Sequence, residues 1–273
     1  MNRRNSSKSP PRNQTIKPSK FKYGLKRSSI HDDNKVGLIS FDRILLPTSY
    51  DLRNIYKIDI YNQLSTNSCS ANAICQQIKI LNQKLLKQPI EPSRRFIYFN
   101  SRLIDREKEG TKHEIDDVGA TLVSAFESLN IYRFCSDNRC SFDIEKINSF
   151  PPPDAYLSAY ENNDNITSYK KIVPSLYNFK YIIGVLKKPI VFGISIYESF
   201  EKLTKDNDIL DVPSDTEDYY GLHAVLAVSY SDVENVFIIC NSHGETFADN
   251  GYFRLTYRFM MDSSLSFEHY ILD

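Results

Sequence analysis

Along this chain the spacing of apolar residues changes from a helical repeat to a strand repeat, and that change limits the fold more than any other feature. Ala71, Ile74, Cys75, Ile78, Leu81 and Leu85 recur at helical spacing, with Gln76, Gln77, Lys79 and Lys84 elsewhere on the wheel. This helix should begin near Ser68, with Asn67 or Ser68 able to cap it. A second helix is expected over Ala120 to Leu129, after Gly119. Pro151, Pro152 and Pro153 should form a stiff connection that is neither helix nor central strand. Beyond it, Pro189 to Tyr197, His223 to Tyr230, Val236 to Asn241 and Gly251 to Leu255 are short, rich in Val, Ile, Phe and Tyr, and predict strands. Helices first and strands later imply an α+β fold with two lobes, a helical one over about residues 60–150 and a β-rich one over about 165–273. Between the first two strands lies a long loop with Asp206, Asp208, Asp211, Asp215, Glu217 and Asp218, of a length that is often functional.

The chain has 273 residues, 41% of them hydrophobic and 25% charged, which suits a buried core and excludes collagen, coiled coil and full-length disorder. Its most apolar stretches, Pro189 to Tyr197 and Ala224 to Tyr230, are too short to span a bilayer, so no membrane association is expected. No apolar run follows the basic N-terminus, which argues against a secretory signal and for an intracellular protein. The five cysteines, Cys69, Cys75, Cys135, Cys140 and Cys240, match no zinc-ribbon spacing and leave at least one unpaired. Cys135 and Cys140 could bridge in an oxidising compartment, but reduced thiols are expected. The sequons at Asn13 and Asn165 then carry no glycan, and neither metal nor organic cofactor is implied.

The formal net charge is zero, yet it is unevenly placed. Nine basic residues from Arg3 to Arg27 precede the first acid, Asp32, which leaves residues 31–273 at a formal charge of −9. Residues 1 to about 45 are rich in Ser, Pro, Asn, Lys and Arg, and cannot bury enough surface to order themselves. A basic, flexible arm on an acidic body should be attracted to it and become ordered only by docking. The arm could mask a cleft as a propeptide, bind nucleic acid through its cations, or be a solvated tail.

Three residues suggest chemistry only when taken together. Cys69 lies in the first turn of a helix, where unsatisfied amides lower a thiol pKa, although a lone cysteine is more often a small buried hydrophobe. His223 enters an apolar strand in GLHAVLAV, and Asn241 ends a strand in FIICNSHG. Alone, these would be a satisfied core histidine and a turn-forming asparagine. In this order they form a Cys/His/Asn nucleophilic constellation.

At these residues the chain resembles the papain-like (cathepsin-type, C1) cysteine proteases, with bacterial and large-virus members the most similar. LPTSYDLR (Leu46 to Arg53) is similar to the family's mature N-terminus, and QLSTNSCSA (Gln63 to Ala71) to its active-site segment. GLHAVLAVSY matches its histidine strand, and NSHGETFADNGYFRL (Asn241 to Leu255) its asparagine loop and closing strand. The likeness covers residues 46–273 and implies a papain-like fold, with a central helix in the N-terminal lobe and a β-barrel-like C-terminal lobe. It implies Cys69 as nucleophile, His223 as base, Asn241 as the group orienting the imidazole, and Gln63 as an oxyanion donor beside the Cys69 amide. Asn67, Ser68 and Leu222 would line the substrate cleft. The partner would be a peptide or protein, hydrolysed as by an endopeptidase, since no paired histidines suggest an occluding loop. The remaining histidines, His31, His113 and His269, carry no role.

The departures from the pattern are specific. His243 stands where the family has the tryptophan that shields the Asn–His hydrogen bond, and Leu64 stands for a glycine. Thr66 replaces a disulfide cysteine, Asn67 a glycine and Ser70 an aromatic residue. These changes lead to the alternative of a catalytically weak or silent papain-like binding module. The basic arm leads to another, a nucleic-acid-associated protein.

Overall fold

The computed structural model describes residues 15–29, 37–111, 114–161 and 168–273. Two short strands come from the arm, β1 (Leu25–Lys26) and β2 (Leu38–Ile39), followed by β3 (Ser49–Asp51). The helical lobe holds α1 (Cys69–Lys84), α2 (Arg94–Lys108), the two-residue β4 (Ala120–Thr121), α3 (Leu122–Tyr132) and α4 (Pro153–Glu161). The second lobe runs through β5 (Tyr169–Ile172), α5 (Leu176–Gly184), β6 (Ile190–Tyr197), α6 (Glu198–Glu201), β7 (Ile209–Leu210) and β8 (Tyr219–Ser231). It ends with β9 (Val236–Cys240), β10 (Tyr252–Thr256), α7 (Tyr257–Met261) and β11 (Ser266–Leu272). The α+β, two-lobed expectation holds.

The strands of the second lobe follow the order β2-β5-β11-β6-β8-β9-β10-β7, with β3 added on β8. Among the described residues the outer strands β2 and β7 do not pair, so the sheet is an open path rather than a closed barrel. Strand β8 is its axis. Antiparallel neighbours β6 and β9 flank it, and the run from His223 to Tyr230 is buried throughout, so apolar side chains are needed on both faces. The four strands expected from sequence are present, with β8 longer than anticipated.

Helix α1 lies between the lobes, and 13 of its 16 residues are buried. Gln76 and Gln77 therefore do not face water. Gln77 Nε2 donates to the carbonyls of Pro189 (3.0 Å) and Tyr270 (3.3 Å), and Gln76 Nε2 to that of Asp59 (2.5 Å). These bonds satisfy polar groups that burial would otherwise penalise, and they tie the helix to the sheet. Ser68 occupies the N-cap position, yet its side chain makes no capping bond; Asn72 donates to its carbonyl and hydroxyl instead.

Two details differ from expectation. Pro153 opens α4, because a first-turn residue has no intrahelical N–H bond to lose. Ala120 and Thr121 form β4 rather than helix, and α3 starts at Leu122, two residues later than expected, where the Thr121 hydroxyl accepts from Ser124 N–H. The long acidic loop is largely structural. Asp208 makes a two-point pair with Arg254, Asp211 accepts from Thr256 Oγ1 (2.7 Å), and Glu217 accepts from the Ser199 and Ser214 amides.

Part of the arm is docked. Residues 15–29 cross the groove between the lobes. Beyond them, β2 adds a parallel edge to β5, and Phe41 stacks on Tyr181 with centroids 4.2 Å apart. His31, His113, Asn13 and Asn165 lie outside the described residues.

Candidate active site

Cys69 is the first residue of α1, His223 is inside β8, and Asn241 follows β9, so the site is assembled where the central helix meets the central strands. His223 faces Ile194 of β6 in register and is fully buried. The sulfur of Cys69 is reached by the backbone amide of Ala224, the residue after His223, and by those of Ser70 and Cys69 itself. His223 Nε2 lies 2.7 Å from Asn241 Oδ1, while its Nδ1 has no hydrogen-bond partner. Because the amide oxygen can only accept, Nε2 carries the proton and Nδ1 is left bare.

Gln63 is held at both ends. Its backbone N–H donates to Ser242 O (2.8 Å), and its Oε1 accepts from Ser242 Oγ (2.7 Å). That leaves Nε2 as donor, to Thr66 O (2.8 Å) and to the Lys22 carbonyl of the arm (3.0 Å). Thr66 braces the same turn, donating to Gln63 O at 2.7 Å. Leu64, in place of the family's glycine, takes a left-handed backbone with φ of 55°, its N–H bonded to Asn62 Oδ1. Of the other cleft candidates, Asn67 is pinned by Asp117, with its N–H on Oδ1 (2.9 Å) and its Nδ2 on the carbonyl (2.6 Å). Ser68 is buried, its hydroxyl shared with Thr66 and Asn72. Leu222 forms a parallel bridge with Gly24.

The arm lies against Gln63, Asn67 and Leu222. Gly24 O accepts from Ala120 N–H (3.0 Å), and Leu25–Lys26 pair in parallel with Ala120–Thr121. Leu25 is buried against Phe267 and the bare backbone of Gly193. Tyr23 meets the His223 ring edge-on at 5.6 Å and donates to Glu201 Oε1 (2.9 Å), which Ser19 also reaches. Ser28 donates twice to Glu268, both at 2.9 Å. Among the described residues the arm's ion pairs are solvent-accessible, Lys17 with Asp218 (3.6 Å) and Lys26 with Glu109 (3.5 Å), while Arg27 lies over the Phe267 ring at 3.8 Å and Lys20 donates to the Glu201 carbonyl (2.7 Å). Such pairs contribute up to ~1 kcal/mol each, less than the ~2 kcal/mol from burying Leu25. Apolar burial and hydrogen bonds from the arm's neutral groups to Glu201 and Glu268 hold the arm more than its two exposed ion pairs do.

Covering the groove changes the electrostatics. Sequence position alone predicts a depressed thiol pKa, but Cys69 is 0% exposed and burial pushes it up to about 11, against the pull of the Ala224 and Gly24 amides. Burial likewise lowers His223 to about 4, partly offset by its bond to Asn241. With the arm in place, thiol and imidazole are therefore both neutral near pH 7.

Sequence reasoning missed the path of the arm and the contacts of His243. The ring of His243 lies between Phe21 (centroids 4.2 Å) and His223 (4.8 Å), in the shielding place, and its Nδ1 is 3.0 Å from Asn241 Nδ2. The SHG stretch after Asn241 was the available signal, but nothing local says what the ring would touch.

Comparison with known proteins agrees with this architecture. Residues 46–266 match the papain family cysteine protease profile. An uncharacterized peptidase C1-like protein, L477, of Acanthamoeba polyphaga mimivirus is 30% identical over 237 residues, covering 82% of this chain and 73% of its own. Xylellain, a cysteine protease from Xylella fastidiosa, superposes with a TM-score of 0.81 at 24% identity, over 95% of this chain and 99% of its own. The procathepsin B S9 of Trypanosoma congolense gives 0.67 at 12% identity, over 91% and 86%. With its profile match spanning most of the sequence, this chain belongs to the papain family of cysteine proteases.

Proposed function

We propose that this protein is a cysteine endopeptidase that acts through Cys69, His223, Asn241 and Gln63, and that its own N-terminal arm masks it. The observation that supports this most is the convergence of the Asn241-held imidazole, the helix-start sulfur and the Gln63 amide on one groove filled by the chain itself. When the arm withdraws, water returns to the groove and the burial cost on both charged forms falls. The Cys69 thiol can then pass its proton to the bare Nδ1 of His223.

The thiolate attacks the peptide carbonyl carbon, and the oxygen takes up negative charge between Gln63 Nε2–H and the Cys69 amide. As the C–N bond breaks, the imidazolium returns its proton to the leaving amine, leaving a thioester. Water, deprotonated by His223, then attacks the thioester, releases the acid and restores the thiol. Asn241 accepts from Nε2–H throughout, which keeps Nδ1 toward the sulfur.

The arm sits in this site without being a good substrate. Its Lys22 carbonyl takes the Gln63 donor, but the group beside the sulfur is the Gly24 N–H, which offers no electrophilic carbon. Pro-forms among the structural neighbours, such as the cathepsin B precursor, are in keeping with a masking segment. Cys69→Ala should abolish both peptide hydrolysis and covalent labelling by an epoxide inhibitor. Wild-type cleavage by that variant would remove Cys69 as nucleophile.

A second reading, a silent papain-like binding module, draws on the complete burial of Cys69 and on the unpartnered buried hydroxyl of Ser70. In that case Cys69 would alkylate no faster than an ordinary thiol even with the arm displaced.

A further inference from the structure

We propose that His243 is a positioning residue, whose neutral imidazole holds the Asn241 carboxamide in the one orientation that presents Oδ1 to His223. The proposal rests on the reading of His223 as the catalytic imidazole. A carboxamide has one accepting and one donating end, and rotating it by 180° exchanges them at almost no steric cost. Here the accepting end lies 2.7 Å from His223 Nε2 and the donating end 3.0 Å from His243 Nδ1. A bare Nδ1 on His243 is an acceptor, so it matches Nδ2–H and rejects the flipped amide, which would set oxygen against a nitrogen lone pair. The same flip would set the NH₂ against His223 Nε2–H. With the His243 proton on Nε2, the amide takes one orientation, which in turn selects one tautomer of His223 and leaves its Nδ1 free for the sulfur.

The requirement is for a neutral ring that carries its proton on Nε2, a nitrogen with no hydrogen-bond partner of its own, so that Nδ1 stays bare. An N–H at His243 Nδ1 would oppose the amide NH₂ and favour the flip. The ring is 6% exposed and stacked on His223, and the titratable and charged groups facing it are His223 on β8 and Tyr23 and Lys20 of the arm. Burial and the nearby His223 hold its pKa well below 6.5, the Lys22 carbonyl opposes them, and Lys20 acts in the lowering direction. An aromatic ring without an acceptor could shield the Asn241–His223 bond, but it could not set the amide orientation.

Two substitutions in the full chain separate orientation from mere filling of space. His243→Phe keeps the stack and loses the acceptor, whereas His243→Gln supplies an amide oxygen in its place. In full-length Cys69→Ala protein, ¹⁵N NMR of the His223 ring should show the single Nε2–H tautomer with a slowly exchanging proton. With His243→Phe added, a tautomer mixture and an exchange at least about tenfold faster are expected, and with His243→Gln the single tautomer should return. With Cys69 intact, and with Gly24→Ala included to loosen the arm, His243→Phe should lower kcat on a short peptide by about tenfold at unchanged KM, and His243→Gln should recover most of that loss. A Phe variant that keeps the wild-type tautomer and exchange rate overturns the proposal, as does a Gln variant as impaired as Phe. Because the NMR arm uses the Cys69→Ala chain, it decides the role of His243 even if the peptidase reading itself fails.

Discussion

Gly24 is the point at which the arm can be lifted by a single methyl group. A Cβ built on this residue would lie 2.1 Å from the Asn67 carbonyl oxygen, well inside the 3.0 Å that real Cβ atoms keep. Asn67 cannot retreat easily, since three hydrogen bonds fix it to Asp117. The arm must therefore move by about 1 Å or more at its closest approach to the helix start. That displacement breaks the Gln63 Nε2–H bond to Lys22 O and the Ala120 N–H bond to Gly24 O, each worth about 1 kcal/mol net. Residual overpacking adds about 1–3 kcal/mol. A shift of about 3–5 kcal/mol in the docking equilibrium raises the open population on the order of 10²- to 10⁴-fold. The assay is alkylation of Cys69 by iodoacetamide, read site by site by mass spectrometry. The other four cysteines are all buried away from the groove and serve as internal controls. Gly24→Ala should label Cys69 on the order of 10² times faster than the parent chain, with the other thiols unchanged. Labelling within threefold of the parent, at an unchanged melting temperature, would refute the account of the arm as a docked mask over the sulfur.

Three further outcomes follow from the same geometry. In the Gly24→Ala chain, Gln63→Ala should lower kcat on the order of 10²- to 10³-fold with a much smaller change in KM, and a loss below tenfold would remove it as an oxyanion donor. Leu64→Gly should stabilise the protein by up to about 1 kcal/mol, because Leu64 is 53% exposed and strained at φ 55°; the check is a higher urea midpoint at unchanged slope. His269 is fully enclosed between Phe179 and Phe192, and burial lowers its pKa to about 3. The unfolded chain, with an ordinary histidine near 6.5, then binds more protons below that pH, so stability declines as pH falls from 6.5 toward 3. This amounts to about 2 kcal/mol by pH 5. His269→Gln should flatten the stability profile between pH 6.5 and 4.5, and an unchanged slope would contradict the assignment.

The chain's local patterns carried a good deal of this. Residues 71–85 show their helix because apolar side chains recur every three to four positions, and the four strand runs show themselves because Val, Ile and Phe cluster between turn residues. Cys69, His223, Asn241 and Gln63 were legible as a set because each sits in a recognisable stretch, and their order along the chain matched one chemistry. Helix α2 was not legible, although Ser93 caps it by accepting from Phe96 N–H. Its charged residues read as a solvated surface, yet ten of its fifteen residues are buried, Arg95, Arg102 and Asp105 among them. Strands β5 and β11 were missed as well, since their pairing partners lie about 100 residues apart and the short β5 shows no alternation of its own.

Tertiary structure alone decided what the site's groups experience. A thiol at a helix start should be acidic by its local dipole, yet the path of the arm buries Cys69 and reverses the direction of its pKa. Gln76 and Gln77 of α1 look like a solvent face on a wheel, and become buried links because the second lobe lies against them through Pro189, Tyr270 and Cys240. His243 looks like a lost tryptophan in the sequence, and acts as an acceptor for Asn241 only through a ring placement set by β8 and the arm. Residue type and spacing determine which groups are available and which element carries them. Burial, partner and protonation depend on segments up to 200 residues away, whose approach is governed by packing of the whole chain.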